Sequence, residues 1–257
     1  MPITTQRDRL VFFHDVDVID RAPGALGRLA EEFEVTVPAY PGFEGQFDVL
    51  DRGWEGWESA ADLAHHIRRS ERWMSGDPVH LVGAGFGGWV ALELALLAPE
   101  RLASLVLVAP YGVKLFSRMD RDFEDVLLLD ADEQITLGWA DPDRCHGLRM
   151  PGYPADLSDE ENEVAFAERE TIARYAWKPF MHSRQLTRWV HTIDVPTLVV
   201  AGDADRLLHA GHSRLLAERL PRATYVEIPD AGHYPYLEQP ELFHDALGDF
   251  YAQVKGA

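Results

Sequence analysis

Of the eleven histidines in the chain, His233 has the setting of a working residue. It follows the run Tyr225-Val226-Glu227-Ile228, on the turn Asp230-Ala231-Gly232-His233. An imidazole that titrates near neutral pH can take up and return a proton, as a general base must. Carboxylates cluster in two loops of the same kind. Gly202-Asp203-Ala204-Asp205 ends the run Thr197 to Ala201, and His14-Asp15-Val16-Asp17 ends the run Leu10-Val11-Phe12-Phe13. A fourth locus is the turn Gly83-Ala84-Gly85-Phe86-Gly87-Gly88, where Gly85 brings no side chain that could attack anything. Other groups are weaker candidates. His209 and His212 lie one helical turn apart but lack a third ligand, so surface positions are expected rather than a metal site. His65 and His66 are adjacent on a helix and cannot face one ion together. Cys145, the single cysteine, rules out an internal disulfide and a cysteine-based zinc cluster, and reads as a buried or incidental thiol.

These loops need elements to hold them. The apolar runs Leu10–His14, Val35–Val37, Val79–Val82, Leu105–Ala109, Thr197–Ala201 and Tyr225–Ile228 read as six strands. Helical spacing separates most of them, as in Ala22–Phe33 and Trp57–Met74. Strands this apolar, alternating with helices, predict a mainly parallel α/β sheet of about six strands, covered on both faces. The interval from Gly112 to Val195 breaks the alternation. It holds the capping box Ser158-Asp159-Glu160-Glu161, ahead of a helix expected to reach about Trp177, and many aromatics. It reads as a helical lid (112–195) inserted into a core formed by 1–111 and 196–257, above the sheet edge where open α/β sheets bind ligands.

Composition narrows the partners. A net charge of −19 over 257 residues repels phosphate backbones and anionic lipid. Nucleic acid and membrane surfaces are therefore not expected as partners. The polar N-terminus and the lack of any apolar run near about 18 residues predict a cytoplasmic protein without a signal peptide or membrane span.

The glycine turn admits more than one use. Gly83-Ala84-Gly85-Phe86-Gly87-Gly88 fits the Gly-x-Gly-x-x-Gly fingerprint of dinucleotide sites, which requires an acidic residue about 20 positions on, after the next strand. Here that strand ends Val108-Ala109-Pro110. A nucleophile elbow reads Gly-x-Ser-x-Gly between a strand and a helix. Asp15-Val16-Asp17 suggests an Asp-x-Asp phosphatase, but the middle strand lacks the Ser or Thr expected there and Gly232-His233 would go unexplained.

Taken together, the glycine elbow, the Gly202-x-x-Asp205 loop, and Asp230-Ala231-Gly232-His233 with its Glu238-Gln239-Pro240 tail resemble the α/β-hydrolase superfamily, from about Leu10 to Tyr251. Their order, nucleophile, acid, histidine, is the superfamily's. The resemblance implies that Gly85 stands at the nucleophile position, Asp205 is the triad acid (with Asp203 the lesser candidate), and His233 is the general base. It also implies oxyanion donors at the Phe86 N–H and in the loop near Asp15. Relatives usually carry His-Gly in that loop, and a carboxylate there would raise the energy of a developing oxyanion. They also usually carry two more strands ahead of Leu10.

Without a hydroxyl at residue 85, a serine acyl-enzyme route is closed. The leading expectation is a His233–Asp205 acid/base pair. It would activate water, or move protons in a non-hydrolytic reaction, with water or substrate in the space vacated at Gly85. The alternatives are a serine ester, acyl or C–C bond hydrolase inactivated by a Ser-to-Gly substitution, and a non-catalytic receptor or partner subunit. A mainly apolar pocket lined by Asp15, Asp17, Phe86, Tyr111, Trp139 and Tyr234 is expected to take a small, uncharged or weakly polar molecule. No organic cofactor and no metal is implied.

Overall fold

The computed structural model describes residues 7–17, 23–43 and 59–256. The strands are β1 (Asp8–Phe13), β2 (Phe33–Thr36), β3 (Val79–Ala84), β4 (Leu102–Val108), β5 (Thr197–Gly202) and β6 (Ala223–Ile228). They form one sheet in the order β2-β1-β3-β4-β5-β6, with every neighbouring pair parallel. The expected six-stranded parallel sheet is present among the described residues.

Both faces of this sheet are apolar because both are covered. Side chains alternate across a strand, so Val11 and Phe13 of β1 join one core while Leu10 and Phe12 join the other. In β3 and β4, Leu81, Leu105 and Leu107 take the first face, and Val82, Val106 and Val108 the second. The helices are α1 (Pro23–Glu32), α2 (Ala60–Ser70), α3 (Gly85–Leu97), α4 (Ala131–Gly138), α5 (Asp159–Ala176), α6 (Arg184–Trp189), α7 (His212–Arg219), α8 (Pro235–Glu238) and α9 (Pro240–Gly256). Helix α3 is buried from Gly85 to Ala95, including Glu93, which accepts a bond from the Trp89 indole at 3.2 Å. Helix α9 packs Phe243, Leu247 and Phe250 on the opposite face.

The helix expected over Trp57–Met74 is shorter: Ser59 caps Ala60–Ser70, extended Glu71 ends it, and Arg72–Met74 is a separate 3₁₀ turn. Trp57, Ala22 and residues 1–6 lie outside the described residues. Between β4 and β5 the chain carries α4, α5 and α6. Helix α5 begins at the expected box, with the Ser158 and Glu161 side chains each accepting the other's backbone N–H. It ends at Ala176, with Trp177 as its cap.

Strand order is what assembles the chemistry. Because β1 lies beside β3, the loop after Phe13 lies beside the turn at Gly85. Residue 87 must be glycine for this approach, since a Cβ there would strike the Phe13 and His14 carbonyls. The loops after β5 and β6 open at the same carboxyl edge.

Candidate active site

Each candidate residue sits just past a strand end. Asp205 follows β5, and its Oδ1 accepts the N–H groups of Leu207 (2.9 Å) and Leu208 (3.2 Å). This fixes the carboxylate with Oδ2 turned to His233 Nδ1, at 2.9 Å. Asp203, two residues earlier, is exposed and takes no part. His233 is held from both sides of its turn. Its N–H donates to the Gly138 carbonyl at 2.7 Å. Glu238 accepts from Gly232 N–H at 2.7 Å and from Ala140 N–H at 2.8 Å, tying the histidine turn to the end of α4.

Gly85 opens α3 at φ +49°, in the left-handed region that glycine enters at little cost. The space beside it is filled: a Cβ at residue 85 would fall on the Asp15 carboxylate. Asp15 Oδ1 accepts from Phe86 N–H and from Val16 N–H, both at 2.8 Å. Its Oδ2 stands 3.3 Å from His233 Nε2, without the alignment of a hydrogen bond. The result is a carboxylate–imidazole–carboxylate array, Asp15–His233–Asp205, with its side chains almost wholly buried.

A sequence model of the alpha/beta hydrolase family matches residues 10–246. This chain belongs to the alpha/beta hydrolase family. Among curated relatives, it is 33% identical to the "Putative carbamate hydrolase RutD" of Pseudomonas syringae over 189 residues, 66% of either chain. It is 27% identical to the pimeloyl-acyl-carrier-protein methyl ester esterase of Nitrosomonas europaea over 186 residues, 63% of this chain and 66% of that one. Among solved structures, a bacterial membrane phospholipase A superposes with a TM-score of 0.75 at 20% identity, covering 98% of this chain and 80% of the other. At that identity the likeness is one of fold.

Set against an alpha/beta hydrolase, three expectations change. The gap expected at Gly85 is closed by Asp15. The second backbone donor comes from Val16 rather than from Asp15, whose own side chain is the acceptor. The two N–H groups that would meet an oxyanion therefore already hold an anion, at the N-terminus of α3 where the helix dipole favours one. Finally, His233 does not titrate near neutrality. Burial is the strongest influence and pulls its pKa down, but the charge of Asp205 and the contacts with Asp15 outweigh it and lift the pKa to about 10. His233 is thus an imidazolium at neutral pH.

Of the other expected lining residues, Tyr111 tilts against the His233 ring at a centroid distance of 5.3 Å, and the Tyr234 ring meets it edge-on at 5.1 Å. Trp139 packs on Tyr234 at 4.3 Å. Asp17, at φ +60°, lies farther along the β1 loop. Gln134 of α4 donates to Asp17 Oδ2 at 3.3 Å and reaches the Tyr234 hydroxyl at 3.5 Å, while Arg169 of α5 is 3.9 Å from Asp17. Burial dominates over Arg169 and raises the Asp17 pKa to about 6. Gln134, Arg169 and Glu238 were not foreseen. Glu238 belongs to the Glu238-Gln239-Pro240 segment that follows the histidine turn, whereas Gln134 and Arg169 lie on helices whose spacing says nothing about the β1 loop.

The expectation of surface positions holds for His209, which is exposed, and is corrected for His212. His212 is buried, with Nε2 2.9 Å from the Val113 carbonyl and 3.8 Å from Asp122. Those partners make its burial tolerable. Among the described residues no cluster of three or more His, Cys, Asp or Glu could hold a metal, and no helix is long and apolar enough to cross a membrane. Burial raises the Cys145 thiol pKa to about 11, which leaves it a poor nucleophile.

Proposed function

We propose that this protein carries out proton-transfer chemistry, with water as the natural second reactant, on a small uncharged or weakly polar molecule. It does so without a serine nucleophile, using Asp15, His233 and Asp205. One observation carries the reading: the Asp15 carboxylate fills the space beside Gly85 and faces His233 at 3.3 Å. A serine route needs a hydroxyl at residue 85 and two free backbone donors, and neither is available. In the array that replaces it, Asp15 is the group that can attack or accept a proton. Asp205 and Asp15 together hold the proton on His233, and Asp205 orients the ring.

The inserted helices act as the lid, and the substrate lies between them and the sheet edge, against Asp17, Tyr111, Trp139 and Tyr234. The relatives above, a "Putative carbamate hydrolase" and a methyl ester esterase for a pimeloyl group on an acyl-carrier protein, support hydrolytic chemistry at a neutral ester or carbamate group. A net charge of −19 favours an uncharged ligand over an anion. A serine hydrolase merely silenced by one substitution fits less well, because a restored serine would collide with Asp15.

The test is product analysis over a panel of neutral esters, carbamates, lactones and alkyl halides, with wild type, His233→Ala and Asp15→Asn. Wild type is expected to turn over at least one class, slowed roughly 10²–10⁴-fold in both variants, and to resist fluorophosphonate labelling. Equal rates in all three proteins, or tight binding without turnover, would overturn the proposal, the latter in favour of a receptor.

A further inference from the structure

Resting on that reading for its effect on turnover, we propose that Arg206 is a positioning residue, which sets Asp205 against His233 by fastening both of their turns to the end of the inserted helix α4. The last four carbonyls of an α-helix have no partner within it. In α4 the Ile135 carbonyl still accepts the Trp139 N–H at 3.0 Å, so those four belong to Thr136, Leu137, Gly138 and Trp139. The Arg206 side chain donates through Nη2 to the Thr136 carbonyl and, at 3.4 Å, to that of Trp139. Arg206 N–H donates to Leu137 at 3.1 Å, and His233 N–H to Gly138 at 2.7 Å. Two residues, the neighbour of the acid and the histidine itself, thus take up the whole helix end.

This docking is close, and it is charged. A Cβ at residue 232 would lie 2.2 Å from the Gly138 carbonyl oxygen, so the histidine turn approaches α4 only with glycine there. The helix is braced at its other end by the capping box of Asp130 and Glu133. A helix C-terminus carries partial negative charge and favours a cation. Arg206 supplies it, and forms no ion pair with a carboxylate among the described residues; its guanidinium is turned to the carbonyls instead.

Asp205 needs such a brace. Its own N–H stands 3.5 Å from the Gly202 carbonyl, at the limit of a hydrogen bond, and its carboxylate leans on the Leu207 and Leu208 N–H groups. Residues 205–208 therefore move as a unit. Glu124 N–H also holds Leu207, at 2.8 Å. Ahead of Asp205, Ala204 N–H ties the two turns directly, donating to the Ala231 carbonyl at 2.9 Å. Behind it, Arg206 ties them through α4. Between these two ties Asp205 Oδ2 lies 2.9 Å from His233 Nδ1. With the second tie cut, the carboxylate can recede from the ring, and a displacement of about 1 Å costs up to about 10²-fold in rate.

The full-length protein is compared with Arg206→Ala and Arg206→Lys by NMR of the His233 ring, a measurement that needs no substrate. Wild type should show a sheltered, far-downfield Nδ1–H resonance. Arg206→Ala should lose it to exchange with water and show a lower ring pKa than wild type, because the Asp205 charge has moved away. Arg206→Lys returns a cation to the helix end and should recover both. On whichever ester, carbamate or lactone wild type turns over fastest, kcat of Arg206→Ala should fall about 10- to 100-fold with KM little changed. An unchanged ring in folded Arg206→Ala, or a changed ring with unchanged kcat, overturns the positioning role. Should Arg206→Ala not fold, amide hydrogen exchange of wild type decides. The Arg206 and His233 N–H groups, closed by the same helix end, should then open with equal free energies. An Arg206 amide that opens independently of His233 overturns the shared anchor. If wild type turns over no neutral substrate, the proposed function falls, and the ring comparison alone decides whether Arg206 places Asp205.

Discussion

At the scale of single residues, the site depends on an exchange between positions 15 and 85. Glycine at 85 gives up a side chain, and aspartate at 15 supplies one to nearly the same volume from a neighbouring strand. Each half of the exchange was visible in the sequence as an oddity, a glycine elbow and an aspartate where relatives carry glycine. Their spatial coincidence was not, because 70 residues separate them and only the β1–β3 pairing brings them together. The exchange is testable in reverse. Gly85→Ser alone should fold less stably and remain unlabelled by fluorophosphonate, because Asp15 still occupies the backbone donors. Asp15→Gly/Gly85→Ser frees those donors, puts a hydroxyl beside His233 and should become labelled. Labelling of the single variant, or none of the double, would show that the two positions are not coupled in this way. The titration of His233 follows the same logic. NMR of its ring should give a pKa near 10 in wild type and a lower one in Asp15→Asn, because one of the two carboxylates that raise it is gone.

At the scale of elements, α/β alternation was legible because the inner strands β3, β4 and β5 are buried on both faces and helical spacing separates most of the strands. Strand ends were read within about three residues, and the α5 start came from one capping box. Side-chain bridges between elements were not legible, and two of them hold the site's surroundings in place. Glu238, at the end of α8, joins the His233 turn to the end of α4 through two backbone N–H groups. Asp122 joins the start of the insertion to itself and to α7: it accepts from Leu115 N–H at 2.6 Å and Phe116 N–H at 3.1 Å, pairs with Lys114 and faces His212. Its side chain is fully buried. Removing one partner of a buried pair leaves the other uncompensated and costs about 3–5 kcal/mol. Asp122→Ala should therefore lower the unfolding free energy by roughly 3 kcal/mol in urea titrations while the isolated chemistry at His233 is spared. Glu238→Ala should cost less stability but disturb the His233 turn, which the ring's NMR line position would report. If Asp122→Ala left the denaturation midpoint unmoved, that carboxylate would not be a structural anchor.

At the scale of the whole molecule, composition foresaw the acidic surface but not the buried charge, which inverts the usual dependence of stability on pH. His233 binds its proton more tightly folded (pKa about 10) than unfolded (about 6.5). Its contribution is complete below 6.5 and is lost as pH rises through 10. Asp17 acts in the same direction for the opposite chemical reason. Burial makes its neutral form the favoured one, raising its pKa from 3.8 to about 6, so its contribution is present below 3.8 and lost as pH rises through 6. Growing negative charge on a chain already at −19 adds repulsion to both. Urea midpoints should consequently decline from pH 6.5 to pH 10, by on the order of a few kcal/mol in unfolding free energy at most, since one pKa unit corresponds to about 1.4 kcal/mol. Salt separates the contributions, because surface repulsion is screened within a Debye length of about 10 Å at 0.1 M while the buried array is not. The decline should thus persist at high salt in wild type and flatten in Asp15→Asn, where His233 holds its proton less tightly. A profile that rose with pH over this range, or one abolished by salt, would mean that His233 is not an imidazolium between two carboxylates. The assigned roles of Asp15, His233 and Asp205 would then have to be redrawn together.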